Sequence, residues 1–316
     1  MRRRDFLSSA AAAAALLPTA ALAETFAPAA EENTAGGSHA MPLGLLITPA
    51  DGPEETIKRV HDLGFPTCFF SLDAYIGKFT PQLATQFKGL LAKYNVTCTT
   101  VEVVGPQPLV WDFMQGPTTI GLVPRATRAA RVDALKQASD FAKLLGVKQV
   151  QTHCGFIPEN PSDPLYKETV AAIKEVAQHC AANSQRFLME TGQETPTTMS
   201  RTLRDVNMPN LGVGLDTANL ILYGKANPVD AIKILGPHIH AMHAKDGKWP
   251  TNPMELGQEV LIGKGEVDFT KVLSSLHALG YKGAVTIERE TSGPQQIEDV
   301  REEKVYLERI LKQIGV

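Results

Sequence analysis

From residue 43 to its end, the chain alternates short apolar runs with longer amphipathic runs. The apolar runs are rich in Val, Ile, Leu and Phe, which predicts buried strands, and the amphipathic runs begin and end at Pro, Gly or capping residues, which predicts helices. The predicted strands cover residues 43–47, 67–70, 96–104, 148–153, 186–190, 211–216, 238–246 and 284–288. The predicted helices cover residues 54–63, 81–94, 125–145, 163–182, 228–235, 268–279 and 297–314, with a short helix around Met199.

This alternation predicts a parallel sheet, and strands without polar alternation imply burial on both faces. Eight βα units in about 275 residues, with no tandem repeat and no linker that separates two domains, predict one closed (β/α)8 TIM barrel over residues 41–316. A doubly wound open sheet is the main alternative. The turn after the first strand, Leu46–Gly52, lacks the G-x-G-x-x-G phosphate turn of that fold, which favours the barrel.

The first 23 residues have the pattern of an export signal. Arg3 and Arg4 precede an alanine- and leucine-rich run that ends in a small-x-small cleavage site at Ala21–Ala23. The pattern resembles a twin-arginine (Tat) signal peptide, which predicts recognition by the twin-arginine translocase and a periplasmic or otherwise exported protein. An uncleaved membrane anchor is the alternative, but the run is short and broken by Pro18, so we expect no stable membrane association. Residues 24–40 are predicted to form a flexible leader.

Composition narrows the choice of partners. The chain has 43% hydrophobic residues and a formal net charge of -3, which is ordinary for a globular domain and argues against a nucleic-acid binder.

The spacing of its four cysteines matches no zinc motif or small disulfide framework, so we expect core thiols. Cys68 and Cys98 lie on neighbouring predicted strands and are the preferred pair if a disulfide forms. The sequence leaves a homo-oligomer open.

Four consecutive predicted strands carry a potential metal ligand at their C-terminal ends: Glu190, Asp216, His243 and Glu288. In a (β/α)8 barrel these ends form the active-site face, and neighbouring strands are about 4.8 Å apart, so four such side chains can converge on one ion. A strand-end Glu by itself is more often a solvated rim residue or a helix cap. Three carboxylates with one imidazole form a mostly hard donor set, which favours one Mn²⁺, Mg²⁺ or Co²⁺ ion, with Zn²⁺ as the alternative.

The sequence around these ligands resembles the sugar phosphate isomerase/epimerase family of xylose isomerase-like TIM barrels, which includes the ketose 3-epimerases. The resemblance covers about residues 42–315, and its most specific parts are His-x-Lys-Asp after the seventh strand and Gly-x-Gly-x-Val-Asp before the seventh helix. The motifs that carry it are Met189-Glu-Thr, Gly214-Leu-Asp-Thr, Met242-His-Ala-Lys-Asp246 and Ile262-Gly-Lys-Gly-Glu-Val-Asp268.

The resemblance implies a carbohydrate substrate and a metal held by Glu190, Asp216, His243 and Glu288. It also implies that Glu190 and Glu288 move the substrate proton. Removing a proton beside a carbonyl gives an enediolate, whose charge a metal can stabilise as a Lewis acid. Two carboxylates on opposite sides of the substrate could take the proton from one face and return it to the other.

Further residues on the same barrel face are candidates for substrate binding. Five of them have a structural alternative: core packing for His153, Trp111 and Trp249, an ion pair with Asp246 for Lys245, and helix capping for Glu194. Glu102 either faces the pocket or pairs with a lysine outside it, and His240 is expected to pack in the strand interior. The substrate-binding candidates are His153, Asn219, Lys245, Asp246, Glu194, Trp111 and Trp249.

Two features depart from the family pattern. Many members carry a histidine three residues after the sixth-strand aspartate, whereas this chain has Asn219, which can hydrogen-bond a hydroxyl but cannot shuttle a proton. Export also favours unphosphorylated sugars or glycosides. The alternatives are therefore a lyase or hydrolase acting on keto-sugars or keto-glycosides and a non-catalytic sugar-binding protein. The apurinic endonuclease branch of this barrel calls for more metal-binding histidines and a basic face.

Overall fold

Residues 41–316 are described in a computed structural model of the protein, and the predicted signal peptide and leader lie outside them. Eight parallel strands form a closed barrel in the order β1-β10-β7-β6-β5-β4-β3-β2, and β8 pairs with β9 in a separate antiparallel hairpin. The predicted (β/α)8 barrel is thereby confirmed. The strands are β1 (Leu43–Ile47), β2 (Thr67–Ser71), β3 (Thr97–Glu102), β4 (Gln149–His153), β5 (Arg186–Glu190), β6 (Leu211–Asp216), β7 (Ile239–Ala244), β8 (Asp246–Lys248), β9 (Gln258–Val260) and β10 (Val285–Ile287).

Helices surround the barrel and connect successive strands. The sequence predicts two of them, α4 and α8, to the residue, because proline or glycine marks their ends. The predicted short helix around Met199 extends over eleven residues as α6. The helices are α1 (Pro53–Asp62), α2 (Pro81–Lys93), α3 (Gly116–Thr119), α4 (Arg125–Leu145), α5 (Pro164–Ala182), α6 (Pro196–Val206), α7 (Asn219–Leu222), α8 (Pro228–Leu235), α9 (Phe269–Ala278) and α10 (Pro294–Gln313).

The strands are buried on both faces, as their unbroken apolar runs predict. Phe187, Leu188 and Met189 follow one another on β5 and are all fully buried. Because successive side chains of a strand point to opposite faces, one face of β5 lies inside the barrel and the other lies under the helices. Among residues 41–316, no helix has both the length and the apolar character needed to cross a membrane.

The segment after β7 differs from the prediction. The predicted seventh strand continued through Asp246 into a structureless loop, but β7 ends at Ala244 and Asp246 begins the β8–β9 hairpin. The chain leaves the barrel at Lys245, whose carbonyl accepts a hydrogen bond of 2.6 Å from the hydroxyl of Thr217. The backbone amide of Lys245 donates to the same hydroxyl at 3.3 Å. The hydroxyl of Thr217, at the end of the neighbouring strand β6, thus satisfies the backbone carbonyl and amide of Lys245 in place of a sheet partner.

The long loop between β3 and α4 is held by a buried arginine. Arg131 on α4 is fully buried, and its guanidinium donates to the carbonyl oxygens of Gly121 at 2.9 Å and Pro108 at 3.0 Å, and also to that of Thr119. A guanidinium has five N–H donors in a rigid plane, so one side chain can satisfy several loop carbonyls. Arg131 thereby fixes the loop that carries Trp111 over the C-terminal ends of the strands.

Candidate metal centre and active site

The four predicted ligands meet at the C-terminal ends of adjacent barrel strands. Glu190 ends β5, Asp216 ends β6, His243 lies on β7, and Glu288 follows β10. Asp216 is paired in register with His243, which sets these two side chains side by side. Each of the four residues offers one ligand atom within 4.8 Å of the others. The structure therefore brings together the side chains that the sequence predicts, and we call them the quartet.

The imidazole of His243 lies at the centre of the quartet. Its Nδ1 is 3.0 Å from Glu288 Oε2, 3.3 Å from Glu190 Oε1 and 4.0 Å from Asp216 Oδ2. Phe69 on β2 packs edge-on against the imidazole, with ring centroids 4.5 Å apart. This contact from the barrel interior fixes the ring plane, so that Nδ1 faces the three carboxylates.

The quartet has the properties expected of a divalent-cation site. Within the described part of the chain, Asp216 Oδ2 is a buried atom without a hydrogen-bond partner, and Glu288 Oε2 is buried and makes no hydrogen bond to His243 Nδ1 despite their separation of 3.0 Å. Buried carboxylate oxygens are costly unless a donor or a cation satisfies them. Three carboxylates and one imidazole suit Mn²⁺, Mg²⁺ or Co²⁺, so the residues present fit a bound metal.

The charges of the quartet strongly shift its pKa values. Burial opposes ionisation of Glu190, but the imidazoles of His153 and His243 hold the pKa of this carboxyl well below its ordinary value. Burial likewise opposes ionisation of Glu288, and Lys245 and His243 lower its pKa to about 2. Burial raises the pKa of Asp216 well above its ordinary value, despite the nearby ammonium of Lys245. The surrounding charges therefore favour the ionised form at Glu190 and Glu288 more than at Asp216.

Two amide side chains orient Glu190. Gln151 on β4 donates to Glu190 Oε2 at 2.9 Å, and Asn219 donates to Glu190 Oε1 at 3.3 Å. The position facing Gln151 on β6 is Gly214, where a Cβ would lie 1.9 Å from the Gln151 amide oxygen. Sequence reasoning missed Gln151, although a glutamine inside a predicted buried strand was a usable signal.

Lys245 is fully buried and supplies a positive charge beside the quartet. Its Nζ lies 3.1 Å from Glu290 Oε2, 3.6 Å from Glu288 Oε1 and 3.9 Å from Asp216 Oδ2. Burial would lower its pKa, but these carboxylates raise it well above the ordinary value. The predicted alternative, an ion pair with Asp246, is wrong. Sequence reasoning also missed Glu290, which is separated from Glu288 by one residue.

His153 and Glu102 extend the site across β3 and β4. His153 Nε2 lies 3.1 Å from Glu190 Oε2, and the indole of Trp111 packs edge-on against the imidazole with centroids 4.8 Å apart. Glu102 is buried, and its carboxyl interacts with Glu190. Of the two alternatives for Glu102, the one that faces the pocket is confirmed.

Comparison with known proteins gives the family of the barrel. The family model described as xylose isomerase-like TIM barrel matches residues 57–310. This chain belongs to that family. A xylose isomerase domain protein from Planctomyces limnophilus is 33% identical, with a TM-score of 0.82 over 88% of this chain and 99% of that one.

Other similar proteins have a lower sequence identity. A D-psicose 3-epimerase crystallised in the presence of D-fructose is 17% identical, with a TM-score of 0.65 over 86% of this chain and 99% of that one. A barrel from Mycobacterium smegmatis in complex with magnesium is 16% identical, with a TM-score of 0.67 over 88% and 99%. An uncharacterised protein from Methanocaldococcus jannaschii is 26% identical over 197 residues, which is 58% of this chain and 64% of that protein's length. At 17% and 16% identity, the D-psicose 3-epimerase and the Mycobacterium smegmatis protein show that this chain shares their fold.

In this xylose isomerase-like barrel, Asp246 has a role that differs from the predicted substrate contact. Its Oδ1 accepts from the backbone amides of Gly247 and Val267 at 2.8 and 3.1 Å, and its Oδ2 accepts from those of Gly263 and Gly265, both at 2.9 Å. Both oxygens are thus used by the chain itself. The structure corrects the prediction: Asp246 organises the loop from Gly263 to Val267 and does not join the quartet.

Glu194 is buried beside the site in the loop before α6. Its carboxylate oxygens have no hydrogen-bond partner among residues 41–316, and burial raises the pKa of this carboxyl to about 8. The alternative that Glu194 caps α6 is wrong, because Thr195 is the N-cap and its hydroxyl accepts from the Thr198 amide at 3.3 Å. A substrate contact for Glu194 stays a prediction.

The two tryptophans occupy different positions. Trp111 is half-exposed and lies over His153, so it forms a wall of the site. Trp249 is also half-exposed and follows β8 in the loop after the seventh barrel strand. A sugar-stacking role for either ring stays a prediction. His240 lies under β6 against Gly212, away from the quartet, as the packing alternative predicts.

Proposed function

We propose that this protein is a divalent-metal-dependent sugar isomerase or epimerase, which removes a proton beside a carbonyl and returns it to the same or the neighbouring carbon. The observation that carries the proposal is the convergence of two carboxylates, those of Glu190 and Glu288, on the imidazole of His243 at the active-site end of the barrel. The similarity of the fold to a D-psicose 3-epimerase supports this kind of chemistry.

Glu190, Asp216, His243 and Glu288 would hold the metal, because they form a hard donor set with unsatisfied buried oxygens. When bound, a divalent cation supplies Lewis-acid stabilisation of the negative charge that develops on a substrate oxygen. Mn²⁺, Mg²⁺ and Co²⁺ suit these ligands best, and Zn²⁺ is the alternative.

Glu190 and Glu288 are the proposed proton carriers. They stand on strands that lie on either side of the β6–β7 pair, so a substrate between them presents one face to each carboxylate. Gln151 and Asn219 fix the orientation of Glu190, and Lys245 lies 3.6 Å from Glu288. In epimerisation, one carboxylate accepts the proton from one face of the substrate, and the other, in its protonated form, donates a proton to the opposite face of the planar enediolate; exchange with solvent then restores both groups.

The proposed substrate is a small unphosphorylated ketose or keto-glycoside. Trp111 offers a half-exposed aromatic face beside His153, and such faces stack on the apolar side of sugar rings. We further propose that the twin-arginine translocase exports the protein to the periplasm, where phosphorylated sugars are scarce.

The decisive experiment follows deuterium from solvent into a ketose. The protein lacking residues 1–23 is loaded with Mn²⁺ and incubated with D-fructose and with D-psicose in D₂O, and NMR monitors the carbons beside the carbonyl. Epimer formation with deuterium at that carbon supports the proposal, and we expect Glu190→Gln and Glu288→Gln each to lower the rate by at least about 10³-fold. The exposed Glu302→Gln variant is the matched control and should retain the rate.

Two other outcomes would overturn the proposal. Release of the aglycone from a 3-keto-glycoside without epimerisation would show a lyase. Sugar binding, measured by calorimetry, without exchange or cleavage would show a binding protein.

A further inference from the structure

Glu288, one of the two proposed proton carriers, stands where the barrel strand β10 has just ended. Its backbone amide donates to the carbonyl oxygen of Ala244 at 3.1 Å, which closes the pairing of β10 with β7. The next two residues, Arg289 and Glu290, belong to no strand or helix. The position of the Glu288 carboxylate therefore depends on the groups that hold the two residues after it.

The β8–β9 hairpin provides one of these supports. Glu259 on β9 lies opposite Gly247 on β8, and its side chain is 14% exposed. Its Oε1 accepts a hydrogen bond of 2.5 Å from the guanidinium of Arg289 and one of 3.2 Å from the backbone amide of Glu290. A single carboxylate oxygen thus binds both residues that follow Glu288.

Helix α10 provides the other support. Asp299 Oδ2 accepts a hydrogen bond of 2.9 Å from Nε of Arg289, and Nη2 of the same guanidinium also lies 2.9 Å from this oxygen. The side-chain amide of Gln296 donates to the carbonyl oxygen of Arg289 at 2.7 Å. Because a guanidinium is planar and rigid, Arg289 fixes the carboxylates of Glu259 and Asp299 relative to each other. The chain after Glu288 is therefore held between the hairpin and α10.

We propose that Glu259 is a positioning residue for Glu288 and acts through the hydrogen bonds to its Oε1, not through its charge. Both donors meet the same oxygen, so a neutral amide oxygen in that place would serve equally well. The proposal rests on the proposed function, in which Glu288 is both a metal ligand and a proton carrier. It also joins the hairpin, which carries Trp249 after β8, to the chain that carries Glu288.

Two conservative variants separate geometry from charge. Glu259→Gln keeps an oxygen in the place of Oε1 and loses the charge. Glu259→Asp keeps the charge but is one methylene shorter, so its carboxylate cannot reach both donors. Each variant is prepared without residues 1–23, beside the exposed control Glu255→Gln in the same hairpin. Titration calorimetry measures the Kd for Mn²⁺, and epimerisation of D-fructose and D-psicose in saturating Mn²⁺ gives kcat and KM.

We expect Glu259→Asp to move the Glu288 carboxylate and to affect metal binding and turnover together. The loss of a hydrogen-bonded support behind a metal ligand should raise the Kd for Mn²⁺ about 10-fold. A displacement of about 1 Å should lower kcat about 10²-fold, while KM stays unchanged. Glu259→Gln and Glu255→Gln should match the wild type in all three quantities.

Two results would overturn the role of Glu259. A loss in Glu259→Gln as large as that in Glu259→Asp, or larger, would show that the charge acts and not the hydrogen bonds. A lower melting temperature of Glu259→Asp with unchanged Kd and kcat would show that the hydrogen bonds only stabilise the fold.

The measurements also separate this proposal from the preceding one. If the wild type binds Mn²⁺ but epimerises neither sugar, the proposed function fails, and the Kd values of the two variants still decide the role of Glu259. A wild type that binds no Mn²⁺ overturns both proposals.

Discussion

The side chain of Asp246 occupies the space that a side chain at position 265 would need. A Cβ at Gly265 would lie 2.1 Å from Asp246 Oδ1, and the Gly265 amide donates to Asp246 Oδ2 at 2.9 Å. The two most specific motifs of the sequence, His-x-Lys-Asp and Gly-x-Gly-x-Val-Asp, are therefore two halves of one structural unit. The aspartate provides the acceptors, and the glycines let the backbone approach them.

We predict that Asp246→Asn destabilises this loop. The substitution replaces one carboxylate oxygen by an NH₂ group, which would face two backbone N–H donors and leave them unsatisfied. Hydrogen bonds to a buried charged group each contribute about 1.5–3 kcal/mol, so we expect a loss of about 3 kcal/mol in the free energy of unfolding. Urea denaturation measures the loss, and hydrogen exchange should localise it to residues 258–267. The exposed Glu266→Gln in the same loop should change neither, and an equal loss in both variants would contradict the role of Asp246.

Gly265→Ala should have a similar effect for a steric reason. The new methyl group would overlap Asp246 Oδ1, and the carboxylate is held by four backbone amides and cannot move away. We expect faster hydrogen exchange in residues 258–267 and a lower melting temperature, both measured beside Gly89→Ala, where a Cβ meets nothing within 4 Å. Normal exchange in Gly265→Ala would mean that the loop adapts.

The barrel was predictable because its determinants are local. The strands β1, β5 and β6 have the predicted bounds. Both faces of each strand are buried, so apolar residues occupy successive positions and mark the strand clearly in the sequence. The quartet was predictable for the same reason: a charged residue directly after such a run lies at the C-terminal end of the strand, and in a parallel barrel all these ends share one face.

The hydrogen-bond partners of the quartet were not predictable in the same way. Gln151 contacts Glu190 only because Gly214 on β6 leaves room for its amide, and the two residues are far apart in sequence. The sequence predicts that Asp246 contacts the substrate. It does not reveal that the carboxylate of Asp246 accepts hydrogen bonds from backbone amides of a loop about twenty residues later. Which of two neighbouring polar residues caps a helix, Glu194 or Thr195, likewise depends on backbone angles that composition does not report.

We predict that Lys245→Met strongly destabilises the metal-free protein. The buried ammonium lies 3.1 Å from Glu290, 3.6 Å from Glu288 and 3.9 Å from Asp216, and removing one member of a buried ion pair costs about 3–5 kcal/mol. Urea denaturation in the presence of EDTA measures the loss. In saturating Mn²⁺ the loss should be smaller, because a cation in the quartet compensates the same carboxylates. The exposed Lys248→Met is the matched control, and equal effects of the two substitutions would contradict the role of Lys245.

We predict that Mn²⁺ stabilises the wild type but not a variant of the quartet. A ligand that binds only the folded state contributes about 2.7 kcal/mol at one hundred times its Kd, which should raise the melting temperature by several degrees. Asp216→Asn removes one of the three carboxylates of the quartet and should abolish most of this shift. Differential scanning calorimetry in EDTA and in increasing Mn²⁺ measures both proteins. An undiminished shift in Asp216→Asn would place the stabilising metal elsewhere.

We predict that Glu303 makes stability fall as pH rises. One oxygen of this buried carboxyl accepts from the Ile262 amide, and the neighbouring Arg289 is already paired with Glu259 at 2.5 Å and Asp299 at 2.9 Å. Burial therefore raises the pKa of Glu303 from 4.5 to about 8. The folded state keeps the proton of Glu303 where the unfolded state has lost it. The contribution of this proton to the free energy of unfolding is therefore complete below pH 4.5 and disappears as pH rises to about 8.

The Glu303→Gln side chain stays neutral at every pH. This variant should remove up to about 1.4 kcal/mol per pH unit from the fall in the free energy of unfolding, measured by urea denaturation between pH 5 and pH 8. The adjacent exposed Glu302→Gln should keep the wild-type slope, and an unchanged slope in Glu303→Gln would show that Glu303 is ionised in the folded protein.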